Sequence, residues 1–366
     1  MPHRGMLKEL IKIRNKDYFI LVVRKGVIPT YIEKMLGEFE DFNNWELKTE
    51  KRSSQISNLL ALFRIKNHCN LGTKGDIYLN MDANYLGIKN SPQIITVHDL
   101  SSVKKNKTSS ISFIKRAARK FMISNGIRHT DYIVTISKFT KNDILSYYKS
   151  LKPITVIYNG IDSKWHNHIN IRNKSCNNYW IWYGGFSKRK NLKNLLLAYE
   201  QLIKENEQTS LDIPNLRLIG NKNQYYHQIK GMIEKSTWLT NRVIFKNHME
   251  LNNLINEVGN SNGLLFPSLY EGFGLPVIEA FSQGVQVLTS NSSSLPEISG
   301  GNAVLIDPCN IVDIKKGLNS LLNEECINKE RKVKEWSLKF SYKNSAQQYS
   351  EFIDLVIEEN NNNDKI

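Results

Sequence analysis

The run GLLFPSLYEGFGLPVIEAFSQGVQVL, from Gly263 to Leu288, decides how the second half of this chain is built. It opens on four residues apolar enough for a buried strand, passes through a loop with two glycines, continues as the helix-length PVIEAFSQG and returns to the apolar VQVL. Two strands separated by a helix need a crossover connection, which makes them parallel. The rhythm extends towards the N-terminus: YWIWY near Tyr179, LRLI near Leu216 and RVIF near Arg242 read as strands, with NLKNLLLAYEQLIKE, YYHQIKGMIEKSTWL and LNNLINEVG as partly amphipathic helices between them. The expected fold class is therefore α/β, a doubly wound parallel sheet covered by helices on both faces.

The first half repeats the pattern with YFILVV from Tyr18, DIYL from Asp76, QIITV from Gln93, DYIVTI from Asp131 and PITVI from Pro153, so a second Rossmann-like sheet is the simplest reading. At 366 residues the chain exceeds what one core usually organises. The expected division is a domain over 1–160, a linker over 161–178, a second domain over 179–336 and a helix within 337–366 that returns to the first domain. The linker assignment rests on the aperiodic KWHNHINIRNKSCNN and on the turn signal Asn159-Gly160 just before it. Two domains imply a cleft between them, and the Asn-rich run Asn360 to Asn363 reads as a frayed end.

Composition narrows the class of function. Lys and Arg outnumber Asp and Glu by 50 to 35, which favours an anionic partner: nucleic acid, anionic lipid or a phosphorylated substrate. An AT-rich coding sequence is an equally good source of so much Lys and Asn. Cys69, Cys176, Cys309 and Cys326 stand far apart, no His cluster has zinc spacing, and the N-terminus has no apolar signal core, so a cytoplasmic chain with reduced thiols is expected.

Ligands of open parallel sheets bind beyond the carboxyl ends of the strands, which singles out the loop after GLLF. Gly272 and Gly274 permit positive φ and close backbone approach, Pro276 suits the first position of a helix, and free N–H groups at that helix start favour an anion such as a diphosphate. Glu271 and Glu279 bracket the glycines eight positions apart. Carboxylates beside a phosphate site suit hydrogen bonds to sugar or ribose hydroxyls. The plainer reading makes Glu271 a loop residue and Glu279, in the first helical turn, a complement to the helix dipole.

Together with VTISKFTKNDI, VIYNGID, RKNLKNLLLAY and NSSSLPEISGGNAVLIDP, this spacing resembles glycosyltransferase family 4, retaining transferases of GT-B architecture, over most of the chain from Ile94 to Pro308. The resemblance implies a cytoplasmic hexosyltransferase of polysaccharide or lipopolysaccharide (O-antigen) synthesis. Its donor would be a nucleotide diphosphate sugar, GDP-mannose or a UDP-hexose, and its acceptor a glycan or lipid-linked glycan. It places Glu271 on donor-sugar hydroxyls, Glu279 on the ribose, and Arg189 and Lys190 on the diphosphate. Gly185, Gly272, Phe273, Gly274 and Leu275 would line the donor site. His98 would lie at the reacting sugar, with Asp99 as its orienting neighbour or a loop cap. Metal-free catalysis is expected because no Asp-x-Asp occurs in the chain and the two cations can take the charge of the leaving group; Arg189 and Lys190 also read as a solvated helix start. Two departures accompany the resemblance. Where relatives place an Arg after the strand, this chain has Gly184, Gly185 and Phe186. RGMLKELIKI resembles the helix that follows the usual first strand, which is missing from the expected N-terminal domain.

From Lys104 to Arg128 the chain carries eight basic and no acidic residues, with Ile111, Phe113, Ile114, Ala117, Ala118, Phe121 and Met122 interleaved at roughly helical spacing. Lys115, Arg116, Arg119 and Lys120 are thus candidates to face an anionic membrane surface, with a solvated basic helix face as the equal alternative. Two other functions compete: a nucleotide-sugar epimerase of the same fold, and a basic nucleic-acid-binding protein. No nucleic-acid-binding module is legible, so no nucleic-acid partner is expected.

Overall fold

A computed structural model describes residues 3–25, 37, 39, 41–53, 75–83, 91–104, 113–149, 152–168, 178–322 and 330–363. Cys69, Cys176, Cys326, the basic run between Lys104 and Phe113, the side chain of Lys115 and the polar stretch 169–177 lie outside the described residues. The fold consists of two compact units, one drawn from Met1–Lys104, Ser110–Gly160 and Ser341–Ile366, the other from Ile161–Phe340.

The first unit begins with α1 (His3–Ile13), β1 (Phe19–Lys25) and β2 (Trp45–Ser53), the two strands forming a parallel pair. A parallel sheet of β3 (Tyr78–Asn80), β4 (Gln93–Val97), β5 (Tyr132–Thr135) and β6 (Ile154–Val156) follows, in that order, with α2 (Phe113–His129) and α3 (Lys138–Tyr148) in its connections. β4 is buried along its whole length, Gln93 and Thr96 included, as in a strand covered on both faces. β2 was not expected: WELKTEKRS is rich in charge, and only the alternation Trp45, Leu47, Thr49 marks it. The Trp45 indole donates to Phe39 O at 2.7 Å and so fixes the entry to this strand.

The second unit contains α4 (Ser163–Asn167), β7 (Tyr179–Tyr183), α5 (Leu192–Glu205), β8 (Asn215–Ile219), α6 (Gln224–Glu234), β9 (Val243–Lys246), α7 (Leu251–Gly259), β10 (Gly263–Phe266), α8 (Leu275–Ser282), β11 (Val287–Ser290), α9 (Leu295–Ser299), β12 (Val304–Ile306), α10 (Ile311–Leu322) and α11 (Glu330–Ser337). Its six strands pair in parallel in the order β12-β11-β10-β7-β8-β9. β7 and β10 occupy the centre and are buried throughout. Trp180, Trp182, Leu195, Leu196 and Tyr199 anchor a core in which α5 covers one face.

Three boundaries differ from the sequence reading. Residues 161–168, assigned to a linker, belong to the second unit, because Trp165 is fully buried and its carbonyl accepts from the Gln283 amide. The return to the first unit falls after Phe340 rather than after 336. The returning helix, α12 (Tyr342–Asn363), extends through the asparagines read as frayed. Arg14 Nη1 donates to Asp354 Oδ1 at 2.7 Å and the Tyr132 hydroxyl to Glu359 Oε2 at 2.6 Å, so packed turns precede the asparagines and propagate helix into poor helix formers. Among the described residues no helix is long and apolar enough to cross a membrane.

Candidate active site

The strand order of the second unit reverses between β7 and β10. At such a switch point the connections leaving the carboxyl ends diverge and open a crevice. Both segments singled out from sequence leave the sheet there, 184–191 after β7 and 267–274 after β10.

After β7 the chain turns at Gly184, whose φ of +137° is hostile to any side chain, while its N–H still donates to Ile219 O at 3.0 Å. Lys188–Lys190 then form one 3-10 turn, and Asn191, in the left-handed region, leads into α5 with its amide donating to Pro308 O at 2.7 Å. This turn delivers Arg189 and Lys190 to the loop after β10. Leu269 N–H donates to Arg189 O at 2.8 Å, and the Arg189 guanidinium donates to Tyr270 O. Glu271 lies between the cations, with Oε2 2.7 Å from Arg189 Nη1 and Oε1 2.8 Å from Lys190 Nζ. The Lys190 ammonium also sits 4.3 Å from the centroid of the Phe266 ring.

Water is largely excluded: the Lys190 and Glu271 side chains are 11% and 10% exposed, Arg189 32%. Burial alone would raise the Glu271 pKa, but Lys190 and then Arg189 outweigh it and hold the carboxyl below its ordinary value. Burial draws the Lys190 ammonium below its ordinary value; Glu271 opposes that shift and Arg189 reinforces it. Two cations share the Glu271 carboxylate in a poorly solvated place, where each attracts an anion more strongly than it would at an exposed surface.

Gly274, with φ +114°, starts α8, and a Cβ there would come 2.7 Å from Leu295 Cδ2. Gly272 does not take a positive φ. Leu275 rather than Pro276 occupies the first helical position, and Glu279 falls in the second turn, not the first. The dipole effect fades within a turn, so it does not account for Glu279. Instead the buried Tyr183 hydroxyl, at the end of β7, donates to Glu279 Oε2 at 2.8 Å, and Pro276 O lies 3.2 Å from the Tyr183 hydroxyl oxygen. Burial pushes the Glu279 carboxyl up to about 7, against the opposing pull of Tyr183 and Lys190. The Tyr183 phenol goes well above its ordinary range through burial and the Glu279 charge.

Three residues here were not foreseen. Besides Tyr183, Ser293 accepts from the Glu271 N–H at 3.1 Å, and Ser294 Oγ lies 3.0 Å from Glu271 O and 2.6 Å from Phe273 O. The SSS run ahead of Leu295-Pro296 was the available signal, but its use needs β11 beside β10. Phe273 packs edge-on against Phe340 with centroids 5.8 Å apart, and no heavy atom lies within 4 Å of where a Gly185 Cβ would be.

The remaining expected residues lie in the first unit. His98 follows β4 and its Nε2 is 2.8 Å from Met81 O; the Asp99 carboxylate accepts from the Ser101 N–H at 2.8 Å and from its hydroxyl at 2.5 Å, the geometry of a loop cap. On α2, Arg119 and Lys120 are exposed and Arg116 is half-buried, with the Lys120 ammonium 5.3 Å from the Tyr147 ring centroid.

Residues 163–339 match the family described as Glycosyl transferases group 1, and residues 78–165 match Glycosyltransferase Family 4. Together the two matches run from residue 78 to residue 339, and both are glycosyltransferase families. The chain is 25% identical over 217 residues to the O-antigen chain mannosyltransferase RfbU of Salmonella typhimurium, covering 59% of this chain and 57% of that one. It is 31% identical over 160 residues to the serotype-specific mannosyltransferase WbdA of Escherichia coli, covering 43% and 19%. It thus spans less than two thirds of either relative. Its GT-B fold is shared with the sucrose-phosphate synthase of Thermosynechococcus elongatus, at TM-score 0.70 and 14% identity over 93% of this chain and 99% of the other. Anabaena HepE, solved in complex with UDP and glucose, also has TM-score 0.70 and 14% identity, over 96% and 95%.

Proposed function

We propose that this glycosyltransferase moves a hexose, with mannose the first choice, from a nucleotide diphosphate carrier to a glycan or lipid-linked acceptor, with retention and without a metal ion. The observation that carries this reading is Glu271 held between Arg189 and Lys190 at the switch point, with Glu279 anchored on Tyr183 beside it. In this reading Arg189 and Lys190 neutralise the charge that grows on the departing diphosphate, in surroundings that need little rearrangement. Glu271 accepts hydrogen bonds from donor-sugar hydroxyls and Glu279 from the ribose. The acceptor oxygen attacks the face that the diphosphate leaves, and a phosphate oxygen takes its proton. The mannosyltransferase names of RfbU and WbdA support the sugar, and HepE with its UDP and glucose supports a nucleotide donor.

A screen of nucleotide sugars for hydrolysis and transfer, repeated with chelator, tests it. The expected result is turnover with GDP-mannose or a UDP-hexose, unchanged by chelator and yielding a product of the donor's anomeric configuration. Near-normal rates in both Glu271→Ala and Lys190→Ala would overturn the site, and an isomerised nucleotide sugar formed without acceptor would favour epimerisation. The exposed Arg119 and Lys120 of α2 support a second proposal, docking on anionic lipid. Binding to phosphatidylglycerol vesicles that weakens with salt and with charge reversal at both positions is expected; indifference to lipid charge would end it.

A further inference from the structure

The sequence reading took Tyr183 only as the last residue of the strand YWIWY, yet it connects β7, one of the two strands at the switch point, to the helix carrying Glu279. Its ring ends the central strand β7 and is 5% exposed. Its hydroxyl has one proton and two acceptors in reach, Glu279 Oε2 at 2.8 Å and Pro276 O at 3.2 Å. With Glu279 ionised the proton belongs on the carboxylate, the nearer and the charged acceptor. With Glu279 protonated it is released to the Pro276 carbonyl. A carboxylate on the second turn of a helix keeps rotamer freedom unless something fixes it, and the phenol, held by a buried strand, fixes Oε2. Oε1 and the second lone pair of Oε2 stay available to other donors.

We infer that Tyr183 is a positioning residue that holds Glu279 oriented to accept a vicinal diol, so that nucleotide affinity depends on a phenol that itself touches no ligand. This rests on the proposal that Glu279 receives the ribose. Among the described residues, the charged and titratable groups acting on Glu279 are Tyr183, from β7, and Lys190, from the turn that follows it. Tyr183→Phe keeps the ring in the core and removes only the hydroxyl.

Titration calorimetry with UDP and with GDP, on wild type, Tyr183→Phe, Glu279→Gln and the double variant, tests the inference. Tyr183→Phe is expected to weaken the nucleotide that wild type binds about tenfold, the worth of a hydrogen bond to a charged group. It should raise the donor KM while leaving kcat within about twofold, and move the acid limb of kcat/KM to higher pH because Glu279 loses the bond that favours its ionised form. In the Glu279→Gln background the same change should have little effect. If Glu279→Gln weakens binding but Tyr183→Phe does not, or if Tyr183→Phe costs as much in both backgrounds, Tyr183 is only structural and the inference fails while the ribose assignment stands. If Glu279→Gln binds both nucleotides as wild type does, or wild type binds neither, the ribose assignment fails and the inference falls with it.

Discussion

Replacing Glu271 by Gln removes the one carboxylate between two buried or half-buried cations while preserving shape. Taking one partner from a buried ion pair costs about 3–5 kcal/mol, because the remaining charge is left without compensation. Two features reduce the figure here. Arg189 is about a third exposed and can be rehydrated, and burial already eases deprotonation of Lys190. A loss of about 2–3 kcal/mol is expected, which lowers the melting temperature of a domain of this size by roughly 5–10 °C. An added anion should then do what Glu271 did. Pyrophosphate at a hundredfold excess over its Kd returns about 2.7 kcal/mol by mass action, and in the variant it meets no competing carboxylate. Thermal denaturation monitored by circular dichroism, with and without pyrophosphate, reads both effects: a lower melting temperature for Glu271→Gln, and a larger pyrophosphate-induced rise in the variant than in wild type. A variant that melts within a degree of wild type, or equal shifts in both proteins, would refute the assignment of Arg189 and Lys190 as an anion site neutralised by Glu271.

Further outcomes follow from the same geometry. Lys190→Ala should lower kcat by about a hundredfold or more, the scale for one preorganised electrostatic donor, as measured by radiolabelled sugar transfer; a loss below threefold would contradict it. Because the Glu279 carboxyl titrates at about 7, well above its unfolded value, the unliganded protein is stabilised by its proton at low pH and loses that contribution as pH rises through 7. Nucleotide binding has the opposite sign if it needs the ionised form: affinity should rise about tenfold from pH 6 to pH 8, and in Glu279→Gln calorimetry should find no such rise. Gly274→Ala, at φ +114° with Leu295 in the way, should cost about 2–4 kcal/mol in chemical denaturation; a neutral effect would mean that the loop entering α8 has other conformations open to it.

Much of the fold was legible because its central strands β4, β7, β10 and β11 are buried throughout, and YWIWY and GLLF carry no charged residue to confuse the reading. WELKTEKRS was missed for the converse reason: Trp45 to Lys48 are only half-buried, and the strand has few apolar positions among its charges. The short VLI of β12 was passed over as a strand because three residues carry no periodicity. In the site, the residue types along 271–279 pointed to hydroxyl and diphosphate recognition, since glycines, a helix start and two carboxylates have few other joint uses. The partners of those carboxylates could not be read. That Glu271 meets Arg189 and Lys190, and Glu279 meets Tyr183, depends on β7 lying beside β10, and strand order is set by packing rather than by any local pattern. The serines illustrate the same limit: Ser294 ties Glu271 and Phe273 together only because β11 follows β10 in the sheet.

The most direct measurement is a crystal structure of this protein with a bound nucleoside diphosphate sugar. The account predicts the pyrophosphate within hydrogen-bonding distance of Lys190 Nζ and the Arg189 guanidinium, the ribose diol on Glu279 and the sugar hydroxyls on Glu271. A nucleotide seated away from the ends of β7 and β10, with the Arg189–Glu271–Lys190 cluster untouched, would contradict it.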